Sequence, residues 1–198
     1  MLKNRLFIAV PVFLAFVCLL FLSCGGGDSG EGEGEGEGEG GDSSWYDSAT
    51  GLTWQNPPPD KSLLLQDALD YCDSLILDGY NDWRLPAIDE LRSLIRGCPA
   101  TAAGGGCNVG AACSDWDCRN DPCSGCEAGN GPTDGAYWPE EMEGDWDSEW
   151  YWSSSALGGG YAWLVNFESG AVDTHPPAID GDGTHENGEL TSPVRCVR

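Results

Sequence analysis

The sequence predicts an α+β domain of two helices and antiparallel strands, carrying a disulfide-rich loop insertion and standing behind an export leader and a tether. Three observations predict it. Apolar residues recur at helical spacing early in the folded part, at Leu64, Leu65, Ala68, Leu69, Cys72, Leu75 and Ile76, then at Ile88, Leu91, Leu94 and Ile95. Strand-like, aromatic-rich runs follow late, and helices before strands is an α+β order. Eight cysteines remain once Cys18 and Cys24 of the leader are set aside, an even number in an exported chain.

The leader comes first. Lys3 and Arg5 form a positive start, Leu6 to Leu22 is apolar apart from Pro11, and Ser23 places a small residue before Cys24. This resembles a bacterial lipoprotein signal over residues 1–23, which implies that Cys24 is lipidated and becomes the mature N-terminus. The competing reading, an uncleaved span, needs about 20 apolar residues, and the run falls short of that. Residues 24–44 are a tether. Gly and Glu alternate from Gly30 to Gly40 with nothing apolar to bury, so the segment self-repels and stays unfolded. Its reach as a coil is roughly 25 Å. The resemblance implies a cell-envelope protein bound to membrane through its lipid. With no acidic residue directly after Cys24, it implies the outer membrane.

Trp45 to Arg198 is 154 residues, the size of one domain. Of the 9 basic and 33 acidic residues, 2 basic ones lie in the leader and 7 acidic ones in the tether, leaving 7 against 26. A balance of −19 repels nucleic acid, anionic lipid and sulfated glycans. It suits cations, or neutral ligands held by stacking and hydrogen bonds.

Trp45–Asp47 and Leu52–Gln55 read as an opening hairpin turned at Ala49-Thr50-Gly51, and Asn56 to Lys61 as a proline-rich loop. Ser62 to Leu77 is the first helix, with Cys72 in its apolar stripe. Gly79 is expected to end it with positive φ, and Pro86 to open the second helix, Ala87 to Arg96. Between them lies the corner Asp82-Trp83-Arg84-Leu85-Pro86, where Asp82 and Arg84 are placed to bracket a buried Trp83 as an ion pair.

Residues 97–149 lose all periodicity. Gly, Asn, Asp and Cys dominate, with nothing apolar enough to build a core, so the reading is a satellite lobe stapled by disulfides. Cys98, Cys107, Cys113, Cys118, Cys123 and Cys126 crowd into 29 residues and allow 15 pairings, among which the sequence does not choose. Strands are expected at Trp150–Ser155, Tyr161–Phe167, Ala171–Asp173 and Pro193–Arg198, with a hairpin turn at Glu168-Ser169-Gly170.

Signals for catalysis are thin. His175 and His185 lie in a Gly/Pro/Asp loop outside any triad or metal spacing, and Ser153 to Ser155 lack a nucleophile elbow. No carboxylate pair stands out for glycosidase work. Cys123-Ser124-Gly125-Cys126 has zinc-knuckle spacing, but export favours disulfides. Asp180, Asp182 and Glu186, on a glycine-rich turn, are the calcium candidate; no other cofactor is implied. Of nine tryptophans, Trp116, Trp138, Trp146 and Trp150 lie in or beside the insertion and are the candidate ligand-binding aromatics, for stacking on neutral sugars or gripping a protein.

Taken in order, Thr50-Gly51-Leu52-Thr53-Trp54, Ala68-Leu69-Asp70-Tyr71-Cys72, Asp82-Trp83-Arg84-Leu85-Pro86 with Glu90-Leu91, Tyr151-Trp152-Ser153-Ser154-Ser155, Ala162-Trp163 and Arg195-Cys196-Val197-Arg198 resemble the DUF1566 family, also called the Lcl C-terminal domain. The resemblance spans nearly all of Trp45 to Arg198 outside the insertion. It implies a C-type-lectin-like fold related to the formylglycine-generating enzymes, a disulfide from Cys72 to Cys196, and an adhesive theme with sulfated glycosaminoglycans and trimers. A −19 domain is a poor receptor for a polyanion, so the expectation is a surface lipoprotein displaying a binding domain for another glycan or a protein. The alternatives are an envelope enzyme related to the formylglycine-generating enzymes, although no equivalent of their cysteine pair is seen, and a structural envelope lipoprotein without a soluble ligand.

Overall fold

A computed structural model describes residues 43–113, 115–144, 150–158, 161–174 and 191–198. Among these, two α-helices and seven strands form a mixed, antiparallel architecture with four disulfides. Strands β1 (Ser43–Asp47) and β2 (Leu52–Asn56) make the opening hairpin, with Trp45 opposite Trp54. Its turn is fixed by Asp47, whose carboxylate accepts from the Ala49 N–H and the Thr50 hydroxyl, both at 2.9 Å. The hairpin starts two residues before Trp45. Ser43 and Ser44, read as tether, are already paired with Asn56 and Gln55.

Strand β3 (Ser62–Leu63) precedes helix α1 (Leu65–Ser74), so the first three residues assigned to the helix are extended. Ala68 and Cys72 are buried while Leu65, Leu69 and Leu75 pack partly against the core. Ile76 lies past the helix end and is 76% exposed, contrary to the helical stripe drawn through it. Gly79 does not cap the helix either. Asp78 (φ 53°) and Gly79 (φ 77°) are the central pair of a tight turn closed by hydrogen bonds between Leu77 and Tyr80, the conformation that Asp-Gly favours. Helix α2 is shorter than expected, Ile88–Ser93, with Ile88, Leu91, Leu94 and Ile95 all buried as the periodicity requires.

The centre of the domain is the sheet β4 (Trp150–Gly158), β5 (Tyr161–Asn166), β6 (Val172–Asp173), antiparallel throughout. It is covered on both faces. Ala162 and Leu164 of β5, with Trp152 of β4, join Ala68, Cys72, Trp83 and Leu85 in one apolar cluster. Trp163 and Val165, with Tyr151, join Ile88, Leu91, Leu94, Val109 and Trp138 in the other. Period-2 alternation sends successive side chains to opposite clusters. That is why β5 reads as a continuous apolar run where a half-exposed antiparallel strand would alternate.

The insertion therefore belongs to the core, correcting its reading as a satellite lobe. Val109, Ala136, Tyr137, Trp138 and Met142, with several half-cystines, supply one apolar layer. Backbone bonds dock it on the β5–β6 turn: Tyr137 N–H to Phe167 O at 2.8 Å and Cys126 N–H to Ser169 O at 2.7 Å. Gly125 is obligatory at this contact, since a Cβ there would stand 2.5 Å from Ser169 O and φ is 83°.

The chain closes with β7 (Ser192–Pro193) on β3, after which Cys196, Val197 and Arg198 run between β2 and the Trp83-Arg84 segment. Arg84 and Val197 exchange both backbone bonds at 2.9 Å. No helix among the described residues is long and apolar enough to cross a membrane; the leader, Cys24 and most of the tether lie outside them.

Candidate functional site

The insertion is organised by three nested disulfides. Cys98–Cys126 encloses Cys107–Cys123, which encloses Cys113–Cys118, with sequence separations of 28, 16 and 5. Cys123 and Cys126 thus pair with different partners, and the zinc-knuckle spacing joins two separate staples. Inside the staples, the buried Arg92 of α2 is the hub. Its guanidinium donates to the carbonyls of Thr101 (2.8 Å), Ala102 (3.1 Å), Cys107 (3.2 Å) and Val109. Burial pushes the guanidinium's pKa down and Asp89, 3.9 Å away, pulls it back. Four loop carbonyls converge on one planar fork, a geometry that lysine's ammonium does not offer.

A second buried guanidinium, Arg195, fixes the far end of the insertion. It donates to Gln55 O (2.9 Å), Asn56 Oδ1 (3.1 Å) and the Glu143 carbonyl, and lies 5.6 and 5.9 Å from the ring centroids of Trp138 and Tyr151. Asn56 completes the clamp, donating to Glu141 O and accepting from the Glu143 N–H. Burial lowers the Arg195 pKa against the pull of Tyr151 and Glu143. A cleft of about 420 Å³ opens nearby, lined by Pro58, Pro59, Lys61, Gly144, Tyr151 and Pro193.

Among the described residues of this insertion one large aromatic, Trp116, is presented outward. Trp116 sits in a short 3-10 helix, Trp116–Cys118, inside the small Cys113–Cys118 ring, and is 54% exposed. It meets Tyr161, the first residue of β5 and 44% exposed, edge to face with centroids 5.7 Å apart. The Arg119–Asp173 pair, at 2.8 Å, ties the lobe to β6 beside them. Asp115 and Asp117 flank the indole, both exposed.

Residues 44–198 match the Lcl C-terminal domain. The chain belongs to that family. No curated protein matches the chain.

The Lcl motif residues turn out to be the joinery of the domain. Trp83 is 2% exposed, its indole N–H directed at Leu77 O. Asp82 and Arg84 do not bracket it as a pair, contrary to expectation. Arg84 forms a two-pronged bond with Glu90, 2.6 Å each, and Asp82 pairs with Arg198 at 2.7 Å, each reaching away to the element it must hold. Glu90 also accepts from the Ala87 N–H, capping α2. The Ser153-Ser154-Ser155 run is spent the same way: Ser153 and Ser154 donate to Trp163 O and Pro86 O, while Ser155 accepts from the Ile88 N–H. Cys72 and Cys196 are bonded, joining α1 to the closing segment at a Cα separation of 5.4 Å.

The four candidate tryptophans are not brought together. Trp138 is 2% exposed, packed with Tyr151 and Phe167, and offers no face to a ligand, contrary to its expected binding role. Trp150 is half-buried against the α1-side cluster. Trp146 and the calcium candidates Asp180, Asp182 and Glu186 lie outside the described residues, as do His175 and His185. Among the described residues no group of three or more His, Cys, Asp or Glu is placed to hold a metal. Tyr161, the first residue of an expected strand, is not among the sequence-derived candidates. Its signal was position, since a strand's first residue projects past the cover of its neighbours. Arg92 also had a signal, a charge at the inward position between Ile88 and Ile95.

Proposed function

We propose that this Lcl-family chain is a lipid-anchored protein of the cell envelope, held through Cys24 at the outer membrane. Its domain, C-type-lectin-like in fold, displays a binding surface for a glycan or protein ligand. The carrying observation is the exposed Trp116–Tyr161 pair on a disulfide-closed ring. Two large aromatics are held outward by covalent staples and an ion pair, so a ligand loses little entropy in ordering them. The −19 balance directs the ligand class away from polyanions. The family's motif residues, serines included, are engaged in the scaffold, which supports binding over catalysis. The test is a glycan and protein array screened with oxidised full chain, beside Trp116→Ala and Tyr161→Ala. Ligand signal lost in both variants at unchanged melting temperature supports the reading; a folded chain that binds nothing on either array defeats it.

A further inference from the structure

Away from the aromatic pair, a second concave feature opens where the β1–β2 hairpin meets the stretch from Pro132 to Glu141. It is a cleft of about 380 Å³, walled in part by Trp45, Thr133, Asp47, Arg96, Glu140 and Glu141. Small-ligand sites run from about 300 to 1,000 Å³. Trp45 is half-buried and packed on the core, so the part of its indole that reaches the cleft is held in place. Arg96 is anchored through Nη1 to Ser93 O and Ile95 O, which leaves Nη2 beside Asp47 Oδ2 at 3.8 Å. Asp47 is itself pinned by the Ala49 N–H and the Thr50 hydroxyl. A fixed guanidinium and a fixed carboxylate thus stand side by side, and the exposed Glu140 and Glu141 add further acceptors.

This set of groups selects a ligand class. An anion would face three carboxylates against one guanidinium. An ammonium carries donors only, so it offers no acceptor to Arg96 Nη2 and is repelled by its charge, while Asp47, the carboxylate beside Arg96, is buried. A ligand whose every polar group both donates and accepts satisfies both, and an apolar face beside those groups suits the Trp45 indole. We propose that this cleft binds a neutral sugar unit of a glycan, with Arg96, backed by the buried Asp47, donating to and the two glutamates accepting from its hydroxyls, and Trp45 covering its C–H face. No metal enters this recognition, so binding persists in chelator.

The proposal deepens the reading of the domain as a binding module by naming the ligand class and a separate place for it. Oxidised full chain is titrated calorimetrically, in chelator, with a panel of neutral di- and trisaccharides, a sulfated disaccharide and a lysine-rich peptide. At least one neutral saccharide binds and neither charged probe does. Arg96→Gln weakens that binding about tenfold, the loss of one charge-assisted bond. The double variant Glu140→Gln, Glu141→Gln, at exposed positions that leave folding intact, weakens it several-fold, whereas Trp116→Ala leaves it unchanged. Three results overturn the proposal: a folded chain that binds none of the neutral panel, tighter binding of either charged probe, or saccharide binding that Trp116→Ala abolishes and Arg96→Gln spares. The last would keep the aromatic-pair reading and remove the cleft.

Discussion

Arg92 gives the sharpest test of how the insertion is held. Arg92→Met keeps an unbranched apolar stem and removes the guanidinium. Of the four carbonyls it serves, Ala102 O also receives the Gly105 N–H at 2.8 Å, whereas Thr101, Cys107 and Val109 have no other partner among the described residues. All three lie in buried residues. A buried acceptor left unmatched costs about 1–3 kcal/mol, so three cost about 3–6 kcal/mol after allowing for local relaxation and the desolvation no longer borne by the guanidinium. Against a whole-domain stability of about 5–15 kcal/mol, that is a large share. The assay is equilibrium urea unfolding without reductant, followed by tryptophan fluorescence, with the staples intact in both states. Arg119→Met serves as the exposed-pair control and is expected to lose under about 1 kcal/mol. If Arg92→Met unfolds within 1 kcal/mol of the parent, the hub is decorative and the disulfides alone order the loop.

Three further outcomes follow from the same geometry. Trp83→Ala should cost about 3–5 kcal/mol, the loss of a buried aromatic, and leave ligand affinity alone; a normal melt with failed binding would reverse the roles assigned to corner and lobe. Burial acts to raise the Glu90 pKa, but the bonds from Arg84 and the Ala87 N–H outweigh it and hold the carboxyl below its ordinary value. Its contribution to stability is therefore full above the unfolded value of about 4.3 and fades as pH falls through the lowered folded value; Glu90→Gln should flatten the acid side of a stability–pH curve and leave its slope above pH 6 unchanged. Opening the Cys72–Cys196 link by serine substitution at both positions should lose up to about 5 kcal/mol, from the 124-residue separation it closes, read as a drop in urea midpoint.

Much of the scaffold was legible because it is local. Ile88, Leu91, Leu94 and Ile95 declare α2 by spacing, and Gly51 and Gly170 mark turns the backbone takes with positive φ. What escaped depends on long-range partners. Trp138 looked like a stranded aromatic in a polar stretch, yet Arg195, distant in sequence, and Tyr151 build its pocket. Asp82 and Arg84 suggested one pair by proximity in sequence, but Asp82 is taken by Arg198, distant in sequence, and Arg84 by Glu90 of the next helix. The nesting of the three staples could not be read from six cysteines, since spacing alone leaves every pairing open. Tyr161 joined Trp116 only because β5 starts beside the disulfide ring.

The central claim is that Trp116 of the insertion, which is packed into the core, and Tyr161 at the start of β5 form the ligand-binding surface while the family motifs carry the scaffold. The most direct measurement is the affinity of an array-identified ligand, other than the small neutral saccharides assigned to the Trp45 cleft, for the full chain and for Trp116→Ala, Tyr161→Ala and Trp83→Ala, each with its urea midpoint. The expected result is affinity reduced at least tenfold in the first two at unchanged midpoint, and a lowered midpoint with unchanged affinity of the folded fraction in the third. Affinity intact in both surface variants would contradict it.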